Sequence, residues 1–209
     1  MDKTDKNVKY SEINELLKDI EATLETSVLN SGNIKINSEF GIRNSELFGD
    51  RFYFGVDWGF YPDPWTYVKC CYLPRERKLY IIDEASAYKK SNRETADILL
   101  REKKLTRDDM LVCDSSEPKS VTDYVNFGLY AIGAEKGSGS VAYSMRWLQS
   151  LNEIVIDAQK CPNAAKEFSE YEYERDSNGE VISGYPDKNN HFIDAVRYAT
   201  NLLWRREPN

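Results

Sequence analysis

A small set of acids and one histidine stand where the sequence could do chemistry. Asp57 ends the apolar run RFYFGVDWG at residues 51–59, and Asp114 ends a second run at residues 110–114. Glu84 follows a third such run, at residues 78–83. His191 and Asp194, three apart, fall on one face of a helix if their segment is helical. Carboxylates gathered within a few ångströms repel and raise one another's pKa unless a cation lies among them. Hard oxygen donors with open positions suit Mg²⁺ or Mn²⁺, and two such ions roughly 4 Å apart can activate a water and stabilise the leaving oxygen in phosphodiester hydrolysis. Each residue also has a plainer role open to it. Asp57 could cap a turn, Glu84 could cap the turn at Ala85 and Ser86, Asp194 could be an exposed helical acid and His191 a neighbour of a helix start. Lys119, near a helix start, and Lys136, beside the flexible GSGS stretch, could contact phosphates or be ordinary surface lysines.

These residues need elements to hold them. In residues 51–59 aromatic and β-branched residues alternate over a run too short for a helix, so Asp57 is expected at the open end of a strand. Residues 66–73 and 78–83 read as two more strands joined by the Pro74-Arg75-Glu76-Arg77 turn, which makes an antiparallel meander. Ser91 and Glu94 fit a capping box for a helix reaching about residue 104. The strand of Asp114 follows, then a helix at 117–127 closed by Gly128, a strand at 129–134, a helix at 141–152, and a strand at 154–156. Pro162 suits the first turn of another helix, and Asp176-Ser177-Asn178-Gly179 has the chemistry of a β-hairpin turn. An amphipathic helix over residues 190–205 closes the chain, with Phe192, Val196, Ala199 and Leu203 on one side. Ile193, Ala195 and Val196 around Asp194 turn that acid toward the interior.

Three antiparallel strands followed by helix, strand, helix, strand and a terminal helix is the order of an α/β domain of the RNase H-like kind. The fold expected is thus a mixed sheet flanked by helices, with an added β-hairpin. A strand-helix-strand crossover puts the fourth strand parallel beside the first, so Asp57 and Asp114 would end neighbouring strands on one edge, where ligands of open α/β sheets bind.

The remaining composition narrows the setting. A length of 209 residues allows one good-sized domain and an appendage. The expected division is an N-terminal helix and linker over residues 1–50, and the α/β domain over residues 51–209. Residues 13, 16, 17, 20 and 24 give a helical apolar stripe within 10–26, and the Asn-, Ser- and Gly-rich residues 27–50 read as a linker. Residues 1–50 carry six Lys and Arg against ten Asp and Glu, leaving 22 against 25 for the rest, so much of the net charge of −7 lies outside the α/β domain. That balance argues against a protein that coats nucleic acid, though not against an enzyme with a local basic groove. No apolar run is long enough for a membrane span and the polar start is unlike a signal peptide, so a cytoplasmic location and no membrane partner are expected. The four cysteines show no zinc spacing and are expected as reduced core residues.

The segments GVDWGFYPDPW, CDSSEPKS, EKGSGSV, CPNAAKEF and NNHFIDAVRYA, in this order, resemble the C-terminal nuclease domain of the large terminase subunit of tailed phages and prophages. The resemblance covers residues 51–205. It implies a metal-dependent endonuclease that cuts concatemeric double-stranded DNA during genome packaging in the bacterial host cytoplasm. It also implies that Asp57, Asp114 and Asp194 are the ligands of the two Mg²⁺ or Mn²⁺ ions; Glu84, by its place after the third strand, is a further ligand candidate from the sequence itself. His191 would be an accessory residue near the ions, for which an outer position orienting water or phosphate suits an oxygen-rich site better than direct ligation. The hairpin around Asn178 would lie beside the DNA cleft, and Lys119 and Lys136 are the DNA-contact candidates. Partners implied are a separate ATPase domain, a small terminase subunit and a portal.

The family protein carries an ATPase domain, yet no G-x-x-x-x-G-K-[ST] loop occurs here, so DNA translocation is not expected of this chain by itself. Two further readings stand beside the nuclease. One is a non-catalytic terminase remnant that binds DNA or docks in the packaging complex. The other is a different RNase H-like enzyme, such as a Holliday-junction resolvase or transposase, which shares the acids but not the five segments.

Overall fold

The computed structural model describes residues 33–37, 51–173, 176–178, 180–181 and 185–205. The helix expected over 10–26, and most of the stretch read as a linker, lie outside these residues. Seven strands form one sheet, in the order β1-β7-β4-β3-β2-β5-β6. They are β1 Ile34–Asn37, β2 Phe52–Asp57, β3 Trp65–Leu73, β4 Lys78–Ala87, β5 Met110–Cys113, β6 Tyr130–Gly133 and β7 Glu153–Asp157. The helices are α1 Asn92–Asp97, α2 Pro118–Asn126, α3 Ser140–Ser150, α4 Pro162–Glu170, α5 His191–Ala199 and α6 Asn201–Trp204.

The meander and the crossover are as the element order implies. β2, β3 and β4 pair antiparallel, and β5 lies parallel to β2 with Phe54 opposite Leu111 and Val56 opposite Cys113. Alternation along the strands feeds two apolar layers. Val68, Cys70, Tyr72, Leu79, Ile81 and Ile154 pack under α3, α4 and α5, while Phe54, Val56, Tyr67 and Leu111 pack under α1 and α2. All four cysteines are free and buried. Among the described residues no helix is long and apolar enough to cross a membrane.

Gly55 sets how closely α5 approaches the sheet. A Cβ built on it would lie 2.0 Å from the Ala195 carbonyl oxygen and 2.6 Å from the Ala199 nitrogen, so only a hydrogen fits there. Thr66 Oγ1 donates to the His191 carbonyl at 3.0 Å, tying the start of the same helix to β3. Because side chains on a strand repeat every second residue, Asp57 faces the same side as Gly55 and meets the first turn of α5.

Four local differences from the sequence reading stand out, three of them with an identifiable cause. Ile34–Asn37, inside the stretch read as linker, pairs parallel with β7 as an edge strand. β4 continues past residue 83 to Ala87 because β3 offers it partners as far as Trp65, so Glu84 lies within a strand rather than after one. The capping box of Ser91 and Glu94 forms, but the helix turns from α to π geometry over Ile98–Glu102. The terminal helix divides at Thr200, whose hydroxyl donates back to the Val196 carbonyl at 2.8 Å while Asn201 bonds the main chain of Glu135 on both sides. The expected hairpin turn closes through Asp176 N to Glu180 O at 2.9 Å, with its arms partly outside the described residues.

Candidate metal centre

Asp57, Asp114 and Asp194 line one cavity of about 420 Å³ at the carboxyl edge of the sheet, together with His191, Lys136 and Arg197. Each aspartate is delivered by a different device. Asp57 is the last residue of β2 and is nearly buried. Asp114 follows β5, held level with Asp57 by its own N–H donating to Val56 O at 3.0 Å and by Trp58 Nε1 donating to its carbonyl at 2.8 Å. Asp194 stands in the first turn of α5, its N–H donating to Asn190 O at 2.7 Å.

The chain supplies each acid with a basic partner. His191 Nδ1 lies 3.3 Å from Asp57 Oδ2, and its Nε2 lies 3.5 Å from Asp63 Oδ1. The Arg197 guanidinium pairs with Asp194 and also donates from Nε to Ser144 Oγ at 2.6 Å. The Lys136 ammonium pairs with Asp114, whose oxygens also accept from Ser116 N at 2.8 Å and Ser116 Oγ at 2.7 Å.

Burial dominates the electrostatics. It pushes the Asp57 carboxyl up to about 6; the His191 hydrogen bond opposes this, and the Asp194 and Asp114 charges add to it. Asp194 is likewise raised by burial, against the pull of Arg197. Burial also raises Asp114, but Lys136 and Ser116 outweigh it and hold that carboxyl below its ordinary value. The hydrogen bond to Asp57 raises the His191 imidazole.

In this arrangement no three His, Cys, Asp or Glu side chains among the described residues close around a single point in the manner of a metal-binding group. The donor set nonetheless fits a hard divalent cation. Three carboxylates share one cavity, two of them are driven toward protonation by burial, and hard oxygen donors so placed suit Mg²⁺ or Mn²⁺.

Glu84 and Lys119 are not brought to this cavity. Glu84 caps α4 across the sheet: Oε1 accepts from Asn163 N at 3.0 Å and Asn163 Nδ2 at 2.7 Å, and Oε2 accepts from Ala164 N at 2.8 Å. Its oxygens thus serve the free N–H groups of a helix start. Lys119 lines a separate pocket with Trp58, Phe60 and Asn92. Lys136 does join the aspartates, on an acid rather than at the rim.

The sequence reading missed several residues here. Arg197 lies three after Asp194 on the same helix face, a spacing that could have revealed it. Asp63, Asp187 and Lys188 also line the cavity, and they come from irregular segments whose positions no periodicity predicts. A neighbouring cavity of about 920 Å³ shares His191, Asp63 and Lys188 with it and contains Glu167. Burial pushes the Glu167 carboxyl up to about 8, although Ile193 N donates to it at 2.7 Å.

The model of the terminase RNase H-like domain family matches residues 57–201. The large terminase subunit of Bacillus phage SPP1 is 42% identical over 147 residues, covering 69% of this chain and 34% of that protein. The PBSX phage terminase large subunit of Bacillus subtilis is 27% identical over 145 residues, covering 69% of this chain and 33% of that protein. The chain thus spans about a third of the length of these curated relatives. Among solved structures, the large terminase nuclease domain of bacteriophage SPP1 with bound Mn superposes with a TM-score of 0.71 at 37% identity, covering 80% of this chain and 95% of that one. The large terminase of a thermophilic bacteriophage shares the fold, with a TM-score of 0.58 at 17% identity over 73% of this chain and 40% of that one.

Proposed function

This chain belongs to the terminase RNase H-like domain family, and we propose that it is a metal-dependent endonuclease that cuts double-stranded DNA during phage genome packaging. The observation that carries this reading is the cavity shared by Asp57, Asp114 and Asp194 at the carboxyl edge of the sheet. The 95% coverage of a related nuclease domain solved with Mn supports it.

In the proposed mechanism the three aspartates would hold two divalent ions, Mg²⁺ or Mn²⁺. Once bound, such ions supply Lewis-acid activation of water and neutralise charge on the leaving oxygen. The rest of the work falls to the chain. Asp57 and Asp114 are fixed relative to each other by the β2–β5 hydrogen bonds, and Asp194 by the close packing of α5. His191 holds Asp57 through Nδ1 and leaves its other nitrogen toward Asp63 at the cavity wall, where it can orient water or a phosphate oxygen. Arg197 neutralises Asp194 from the buried side. Attack of water at phosphorus forms one P–O bond and breaks another; the attacking water gives up a proton to solvent, and the leaving oxygen takes one up. With no recognition helix evident among the described residues, backbone phosphate contact dominates binding, so cleavage is largely independent of sequence and DNA affinity falls steeply with salt.

This chain covers only a fraction of whole large terminases, so an ATPase domain, a small subunit and a portal are proposed as its partners in packaging. The same setting implies action in the bacterial cytoplasm. Incubation of the purified protein with supercoiled plasmid and Mn²⁺ tests the reading. Nicked and linear products are expected, and their loss on adding EDTA. Intact plasmid across a Mn²⁺ and Mg²⁺ series would instead leave a DNA-binding or docking module.

A further inference from the structure

The cations that face the three aspartates are not equivalent. Arg197 is deeply buried and held twice, on Asp194 and on Ser144. His191 is anchored by its own helix. Lys136 has a side chain 38% exposed, and it stands on a loop rather than on a helix or strand. The main chain just before it is clamped, because Glu135 N donates to Asn201 Oδ1 at 3.2 Å and Asn201 Nδ2 donates to Glu135 O at 3.1 Å. The residue after it is Gly137, where an added Cβ would meet nothing within 4 Å. Its ammonium reaches Asp114 while lying 5.0 Å from the centroid of the Tyr198 ring. The base of Lys136 is therefore fixed, its head is free to leave, and an aromatic face lies beside its path.

We propose that Lys136 is a resident counter-ion that occupies the cation position on Asp114 and is displaced when a divalent ion binds there. The inference rests on the metal-centre reading above. An ammonium and a divalent cation repel at contact distance and compete for the same carboxylate oxygen, so both cannot remain on Asp114. The displaced ammonium keeps the Tyr198 face as a favourable neighbour and stays at the cavity rim, where a DNA phosphate would need it. Metal binding and exposure of a phosphate-binding cation become one event. Linkage then requires that whatever Lys136 contributes to the metal-free centre is subtracted from metal affinity.

The test is calorimetric titration of Mn²⁺, without DNA, into the wild-type chain and into K136M and K136Q. Both variants should bind Mn²⁺ about five- to tenfold more tightly, the lower part of the usual range for coupled sites. Their melting temperatures should rise more on adding Mn²⁺ than that of the wild type, because Asp114 then lacks its own cation. Wild-type binding with unchanged or weaker affinity in both variants would overturn the displacement while leaving the metal centre intact. Absence of binding in all three proteins would overturn the metal-centre reading, and this inference with it.

Discussion

Two buried acids on neighbouring parts of one sheet edge have opposite fates. Glu84 and Asp57 are almost equally hidden, and burial raises both carboxyls. Glu84 spends its oxygens on the N–H groups of Asn163 and Ala164 and on the Asn163 amide, so α4 is its ligand. Asp57 meets a histidine and the fields of two like charges across a cavity, so its solvation is incomplete without something from outside. Burial alone does not mark a functional acid. The mark is a buried acid that faces other acids across a cavity.

The sharpest way to break that contrast is to remove charge from the cavity. Asp194→Asn should cut plasmid cleavage by at least the roughly 10²–10³-fold that loss of one electrostatic stabiliser costs, and full activity in that variant would sink the assignment. His191→Ala should slow cleavage roughly ten- to a hundredfold and leave Mn²⁺ binding measurable by calorimetry. Complete loss of binding would make the imidazole a direct ligand.

Glu84→Ala should behave in the opposite sense. It orphans three donors at the start of α4 and should cost about 2 kcal/mol of stability in urea unfolding, with Mn²⁺ affinity unchanged. Lost affinity with preserved stability would reverse the roles of the two acids.

Asp57→Asn should stabilise the metal-free protein at neutral pH. The Asp57 carboxyl is raised from 3.8 to about 6, so its contribution to stability is present below the unfolded value and is lost as pH climbs through about 6. Removing the ionisable group should recover about 2 kcal/mol at pH 7 and little at pH 4, a difference visible in urea midpoints across that range. A variant less stable than wild type at pH 7 would mean that the carboxylate is better solvated than its surroundings indicate. Last, Lys119→Ala should leave Mn²⁺ affinity within about twofold, the ordinary scale for a surface change remote from a site.

Much of this was legible in the chain. Two apolar runs ending in aspartate, with a meander and a helix between them, are enough to put Asp57 and Asp114 side by side, because that order of elements returns the later strand parallel to the earlier one. His191 and Asp194 were readable from helical spacing. The role of Glu84 was not, since its partners lie 79 and 80 residues away and only folding brings them near. Nor was the pairing of Lys136 with Asp114, which depends on a clamp from Asn201, 66 residues from Glu135. The edge strand at Ile34–Asn37 was hidden for a similar reason: four residues in a polar stretch acquire meaning only from β7.

The close approach at Gly55 has a consequence for how such a site can drift over evolutionary time. One spacing in the cavity, from Asp57 to Asp114, is written in backbone hydrogen bonds and is indifferent to which side chains surround it. The other, from Asp57 to Asp194, is gauged by a single hydrogen atom between a strand and a helix. An apolar residue of β5 can therefore be exchanged for another of like size without moving its acid, whereas one added methyl group in β2 would act as a shim and pry open one side of the cavity. The two sides of the site are calibrated by different rulers, and only one of them tolerates an error in the part list.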